Sequence, residues 1–341
     1  MRQLRHITIV REDRLGDSCL SLPVLEALSH LSPDTQVTWI CQEQWKSLFE
    51  GHPAVASVLC KPRKPGLLEC MKIGKEIRAL NTDAVLLLRA SQRWIQAAAF
   101  SGCPLRVGPT PRAPLGKLTH DSWTESRRRI HISRRALDVV ATALDMAIPD
   151  FPAVLKLSEA HTAKAIENLQ SLSLPHNFFV VQLGMGGSSK AVPASTFAQV
   201  AKMVTSETGL HPVLTGSKGE EHLAKEFENH YGSSAVSLIG RTDLPTLATV
   251  LKTSRFILSL DTGTVHLGAA VGKGSVVLMP KIAFDVEEWK PWMVHHIVVR
   301  PQQFCTQCSR QGCRPGEPTC AASFSINEIF EACIRLLNQR S

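Results

Sequence analysis

Three stretches of the chain carry residue types and spacings that a strand followed by a helix would bring to one edge. The most pointed is Asp261-Thr262-Gly263-Thr264-Val265-His266. It lies between an apolar run, 255–259, and a small-residue segment, 265–271, that Gly272 and Gly274 end. Another apolar run, 275–279, follows. This order predicts strand, turn, short helix, strand. A helix that starts directly after a strand aims its free N–H groups and the positive end of its dipole at the carboxyl edge of the sheet. Phosphates and diphosphates bind there. Asp261, Thr262 and His266 are polar groups able to face such a ligand. The plainer alternative is a capped helix, with Thr262 or Asp261 as N-cap and His266 merely exposed.

The second stretch is Arg11-Glu12-Asp13-Arg14-Leu15-Gly16-Asp17. It leaves an apolar strand, 5–10, and enters a segment, 18–29, with Leu20, Leu22, Leu25 and Leu28 at helical spacing and Pro23 near its first turn. Asp17 is therefore expected beside a helix N-terminus, either as a cap or as a general base facing a cleft. The third stretch is Gly184-Met185-Gly186-Gly187-Ser188-Ser189-Lys190, after an apolar run at 178–183. Glycines admit a ligand close to backbone N–H groups, two hydroxyls donate, and Lys190 supplies charge, a combination suited to phosphate. The stretch matches neither the Walker loop nor the full dinucleotide fingerprint. Glu220, at the opening of a further helix, stands where a ribose hydroxyl would be held, or where it would cap the helix.

Basic residues form two candidate surfaces. Lys61, Arg63 and Lys64 share a loop, and Arg127-Arg128-Arg129 with Arg134-Arg135 is the densest run. Such runs are either solvated faces or meeting points for an acidic acceptor. Cys305, Cys308, Cys313 and Cys320 near the end follow a C-x2-C-x4-C-x6-C spacing. Tetrahedral thiolate sites for zinc use such pairs, but the last two intervals are not those of a common zinc ribbon. Free thiols or a disulfide compete with a metal there.

The elements that position these stretches alternate regularly. Further strands are expected at 37–40, 55–59, 84–88, 105–107, 212–214 and 236–238. Helices are expected at 42–50, 67–80, 94–100, 131–147, 159–172, 197–208, 244–251 and 326–337. The alternation predicts an α/β protein with parallel sheets. A proline-containing stretch, 149–152, suggests a boundary, giving a first domain at 1–155, a second at 156–325 and a closing helix at 326–341.

The chain has 341 residues, 44% hydrophobic and 6% aromatic, enough for two domains. No apolar run approaches the length of a spanning helix, and the basic, apolar start is too short for a signal peptide. A cytoplasmic protein with cysteines as thiols or ligands is expected. Its net charge of +8 suits anionic partners. No nucleic-acid-binding module appears, so nucleic acid is not an expected partner.

Taken together, these residues resemble glycosyltransferase family 9, the ADP-heptose lipopolysaccharide heptosyltransferases. RLGDSCLSLPVLEAL resembles the family's GD turn and LP-containing helix. GGSSKAVPASTFAQVAKMV resembles its donor loop. SLDTGTVHLGAAVGKGSVVLM is similar to its D-[ST]-G-x-x-H-x-A-A signature. The chain departs from the pattern at Val192 (usually tryptophan), Gly268 (usually alanine) and Ser275 (commonly proline).

The resemblance implies a GT-B fold, two Rossmann-like domains with parallel sheets facing a central cleft. The first domain would bind acceptor and the second the nucleotide sugar, with the last helix packing back on the first. It implies an inverting, metal-independent transfer of heptose from ADP-heptose to the lipopolysaccharide inner core, to Kdo or heptose, with no cofactor. Asp17 matches the general base. Gly187, Ser188, Ser189 and Lys190 match the diphosphate loop. Asp261, Thr262, Gly263 and His266 match the donor signature, with Glu220 beside them. Lys61, Arg63, Lys64, Arg127 and Arg128 would meet a phosphorylated lipid A–Kdo type acceptor at the cytoplasmic face of the inner membrane. The competing expectations are a same-fold transferase with another nucleotide sugar or glycan acceptor, and a non-catalytic nucleotide- or glycan-binding module. A nicotinamide-dependent oxidoreductase is a third, disfavoured by the incomplete fingerprint.

Overall fold

The computed structural model describes residues 3–89, 91–109, 118–122, 130–185, 192–280, 285–303 and 320–339. The chain divides into two units, Met1–His161 and Thr162–Ser341. The division falls six residues beyond the boundary expected from the prolines, inside a helix.

Short apolar runs such as Ile7-Thr8-Ile9-Val10 are buried on both faces, as strands of a helix-covered parallel sheet must be. In the first unit these are β1 (His6–Val10), β2 (Gln36–Cys41), β3 (Val55–Cys60), β4 (Ala84–Leu87), β5 (Leu105–Gly108) and β6 (His120–Asp121). All pair in parallel, in the order β3-β2-β1-β4-β5-β6. Its helices are α1 (Leu15–Cys19), α2 (Pro23–Leu31), α3 (Leu67–Ala79), α4 (Gln92–Ser101) and α5 (Ile132–Leu144). The second unit repeats the plan. Its strands are β7 (Phe178–Gln182), β8 (His211–Thr215), β9 (Val236–Ser237), β10 (Ile257–Leu260), β11 (Ser275–Leu278) and β12 (His296–Val299). Their order is β12-β11-β10-β7-β8-β9, again parallel. Its helices are α6 (Glu159–Ser171), which begins just before the division, α7 (Ala194–Thr208), α8 (Glu221–Tyr231), α9 (Leu244–Thr253), α10 (Gly263–Ala270), α11 (Val286–Trp289) and α12 (Ile326–Asn338).

Counted within each unit, both sheets run 3-2-1-4-5-6, the doubly wound order. The strand order of such a sheet reverses between its first and fourth strands, and ligands bind in the crevice at their carboxyl ends. The loops after β1 and β4, and those after β7 and β10, hold these positions.

Several expected elements differ in detail. The single helix foreseen from residue 18 is two, α1 and α2. A turn formed by Leu20, Ser21 and Leu22 interrupts it, and Pro23 starts α2 at its first position. The segment after β2 is a 3-10 helix, Glu43–Leu48, and β6 forms in a stretch where no strand was expected. The closing helix α12 buries Ile329, Ala332, Cys333 and Leu336 in the core of the second unit, against α7 and β12. Its apolar face is thus used within that unit. Cys19, Cys41, Cys60, Cys70, Cys103 and Cys333 are free thiols. Among the described residues no helix is long and apolar enough to cross a membrane.

Candidate active site

In the first unit the site begins at the carboxyl end of β1. Arg11 is the residue after the strand and is 4% exposed. Its guanidinium turns forward along the loop and donates to Asp17 Oδ1 at 2.7 Å. It also donates to the Leu88 carbonyl at the end of β4, at 3.1 Å, and its Nε lies 3.4 Å from Asp13 Oδ2. A planar guanidinium reaching three oxygens at once fixes the loop to the neighbouring strand. Asp17 lies within α1, whose N-cap is Arg14 and has no side-chain cap. Asp17 is therefore not a capping residue. One of its oxygens is held by Arg11, and its side chain remains 22% exposed.

Asp13 gathers further charge. Arg89 Nη1 approaches its Oδ1 at 2.5 Å, and Arg63 Nη2 stands 4.0 Å away. The Asp13 backbone carbonyl accepts from Trp45 Nε1 and Gln42 Nε2. Glu12 is fully buried, with neither carboxyl oxygen hydrogen-bonded and Arg89 Nη1 at 3.8 Å from Oε1. Burial first, and then the negative Asp13 beside it, push its pKa up to about 7.

Of the predicted acceptor residues, Arg63 is thus joined to the Asp17 cluster through Asp13 and Arg11. Lys61 is paired with Glu76 at 2.5 Å, and Lys64 is exposed. Arg134, in the dense basic run, is spent on Asp138 and Asp150. Arg127 and Arg128 lie outside the described residues. Sequence reasoning missed Arg11, Asp13 and Arg89. The first two stood in the same motif as Asp17, and Arg89 becomes visible only once β4 is known to lie beside β1.

In the second unit the site forms between β7, β8 and β10. Gln182, the last residue of β7, is buried, and its Oε1 accepts from Thr215 at the end of β8 (3.0 Å) and from Thr264 in α10 (3.1 Å). This one side chain ties the ends of two strands to the start of α10, and the sequence offered no sign of it. α10 is built of small and apolar residues, and 264–270 are all buried, so it packs close beneath the edge. Thr262 is its N-cap by backbone position, with no side-chain cap, so the first N–H groups of α10 are left to other acceptors.

His266 is 3% exposed, which overturns the reading of it as merely exposed. Its Nε2 lies 3.5 Å from Asp261 Oδ1, and its Nδ1 has no hydrogen-bond partner. Glu220 occupies the N-cap position of α8 without capping it. Its Oε2 instead accepts from the Ser217 N–H at 2.7 Å. A Cβ at Gly184 would stand 1.8 Å from Glu220 Oε1, and one at Gly216 would stand 2.9 Å from Oε2. Glycine after β7 and after β8 is what lets this carboxylate reach the sheet edge. Glu220, Thr262, Gly263, Asp261 and His266 thus share one edge of the second sheet. Gly187, Ser188, Ser189 and Lys190 lie outside the described residues, as do Cys305, Cys308 and Cys313. Cys320 is buried in a short 3-10 turn, Cys320–Ala322.

The departures have physical counterparts. Val192 is 2% exposed and belongs to the hydrophobic core of the second unit. Gly268 faces Ile257, whose Cδ1 would lie 2.1 Å from a Cβ there. Ser275 donates its N–H to the His295 carbonyl at 3.3 Å, a bond proline lacks.

Residues 70–317, well over half of the chain, match the sequence model of glycosyltransferase family 9 (heptosyltransferase). The chain belongs to glycosyltransferase family 9. It is therefore a glycosyltransferase enzyme. A Haemophilus influenzae protein named only as a glycosyltransferase is 23% identical over 299 residues, 84% of this chain and 86% of its own length. Lipopolysaccharide heptosyltransferase 1 of Salmonella typhimurium is 25% identical over 291 residues, 80% and 87% of the two chains. Among solved structures, the Escherichia coli ADP-heptose lps heptosyltransferase II aligns with a TM-score of 0.78 at 20% identity, covering 98% of this chain and 99% of that one. That likeness establishes the fold as the GT-B fold of these family 9 enzymes.

Proposed function

We propose that this family 9 enzyme transfers heptose from ADP-heptose to an inner-core lipopolysaccharide acceptor, Kdo or heptose, with inversion. The observation that carries the reading is the Arg11–Asp17 pair at the switch point of the first sheet. A carboxylate is held there by one oxygen and left with the other for a hydroxyl. The Salmonella relative is named for lipopolysaccharide heptosyl transfer, and the aligned Escherichia coli structure is named for ADP-heptose, which supports this donor and this acceptor class.

In this reading Asp17 takes the proton of the acceptor hydroxyl as that oxygen forms its bond to the anomeric carbon. The bond from that carbon to the diphosphate oxygen breaks, and ADP leaves with the electron pair. Arg11 is a positioning residue that acts through Asp17. The leaving diphosphate is stabilised by the N–H groups of Thr262 and Gly263 at the start of α10, by Ser188 and Ser189 with Gly187, and by the charge of Lys190. Asp261 and His266 orient sugar or phosphate, and Glu220 holds a ribose hydroxyl. Lys61, Arg63, Lys64, Arg127 and Arg128 receive the phosphorylated lipid A–Kdo type acceptor at the cytoplasmic face of the inner membrane, a peripheral contact weakened by salt.

Calorimetry with ADP, UDP and GDP, each with and without magnesium, tests the donor. The expected outcome is a preference for ADP that magnesium does not alter and that Lys190→Ala weakens by about tenfold or more. A preference for UDP or GDP overturns the ADP-heptose donor and leaves the family unchanged.

A further inference from the structure

Six large hydrophobic side chains stand exposed among the described residues, and three of them, Leu67, Leu68 and Met71, fall within five consecutive positions of α3. Leu68 is 75% exposed, Leu67 51% and Met71 41%. Their exposure follows from how α3 packs. Its buried stripe is Cys70, Ile73, Gly74 and Ile77, set against α4, where a Cβ at Gly74 would meet Phe100 Cβ at 2.5 Å. Leu67, Leu68 and Met71 lie off that stripe and are left uncovered. Exposed apolar side chains grouped in the first turns of one helix form the kind of patch that marks an interaction surface.

The surroundings identify the partner. Between residues 61 and 76 lie Lys61, Arg63, Lys64, Lys72 and Lys75 against only Glu69 and Glu76, and Lys61 occupies Glu76. Lys64, Lys72 and Lys75 are exposed. An exposed apolar turn flanked by lysines fits a fluid, negatively charged surface, which needs no matching groove.

We propose that the first turns of α3 and the loop before it dock on an anionic phospholipid leaflet. Leu67, Leu68 and Met71 enter the boundary between headgroups and acyl chains, and Lys64, Lys72 and Lys75 meet the lipid phosphates. The proposal gives the membrane contact of the proposed function a definite surface and rests on that reading for its biological purpose, though not for its test. Charge alone would give binding that salt abolishes. Apolar insertion leaves a part that salt does not remove.

The test is co-sedimentation of the full chain with vesicles of equal parts phosphatidylglycerol and phosphatidylethanolamine, and with vesicles of phosphatidylcholine alone. The wild type is expected to bind the anionic vesicles and to bind neutral ones far more weakly. Leu68→Glu, and separately the milder pair Leu67→Ser with Met71→Ser, should weaken anionic-vesicle binding about tenfold. ADP affinity should stay unchanged in both. Lys72→Ala with Lys75→Ala should lose a similar factor at low salt and little at high salt. Vesicle binding that is absent in the wild type, or equal in Leu68→Glu and wild type, overturns the proposal. So does concentration-dependent self-association abolished by Leu68→Glu, which would make the patch a contact between copies. Leu68-dependent vesicle binding without transfer from ADP-heptose would uphold the docking surface while overturning the proposed donor.

Discussion

The residue that most directly links chemistry to environment is Glu12. Its carboxyl is enclosed beside Asp13 and near Arg89, and its pKa is pushed up to about 7 from an ordinary 4.5. Between those two values the folded chain keeps a proton that the unfolded chain has lost, so stability falls as pH rises through that window and levels off above it. Glu12→Gln should abolish this decline and stabilise the protein at pH 8 by up to about 3 kcal/mol. Thermal melts of both proteins from pH 4 to 8 check this, and parallel curves would show that Glu12 is not the titrating group. The sequence marked Asp17 as a cap or a base beside a helix N-terminus, and the structure places it inside α1 with one oxygen held by Arg11. Its partner Arg11 carried no mark, because nothing in a linear motif says that Arg11 folds forward onto Asp17 and across to the Leu88 carbonyl.

At the scale of elements, the short helix α10 shows how close packing fixes residue choice. Gly268 leaves the room that Ile257 Cδ1 fills from β10. Gly268→Ala should therefore cost about 1–2 kcal/mol by overpacking, and Ile257→Val in the same chain should recover most of it. Denaturant unfolding of the two single variants and the pair measures the coupling, and strictly additive effects would contradict it. The strand–turn–helix order around Asp261 was readable from apolar runs and glycines. The burial of His266 was not, because a histidine at the first turn of a helix has no sequence mark that separates a solvent-facing ring from one turned beneath the sheet edge. Gln182 was silent for the same reason, as the last residue of an apolar strand whose bonds to Thr215 and Thr264 exist only after three loops converge. The interruption between α1 and α2 was hidden because Leu22, Leu25 and Leu28 keep helical spacing from its far side onward, while the two-residue step from Leu20 to Leu22 breaks it.

At the scale of the whole chain, alternating strands and helices made two parallel α/β units legible, and the repeated 3-2-1-4-5-6 order followed only from the strand pairing. A cation anchors the end of the first unit. Lys156 Nζ lies 2.6 Å from Glu26 Oε1, and His52 Nε2 lies 2.9 Å from the same oxygen. Burial pushes the Glu26 carboxyl up, but the hydrogen bonds from Lys156 and His52 outweigh it and hold its pKa below the usual range. Lys156→Ala should lower stability by about 2 kcal/mol, most clearly above the carboxylate range, where Glu26 is charged. An unchanged melting temperature at neutral pH would show the anchor to be dispensable. What the two sheet edges do is measured most directly as heptose transfer from ADP-heptose to a Kdo-bearing lipid A acceptor, followed by product mass and ADP release. The wild type should add one heptose, and Asp17→Asn should lose about a hundredfold or more in turnover while binding ADP as before. An Asp17→Asn enzyme as active as the wild type would contradict the assignment of the base, and a wild type that transfers nothing from ADP-heptose would contradict the proposed reaction.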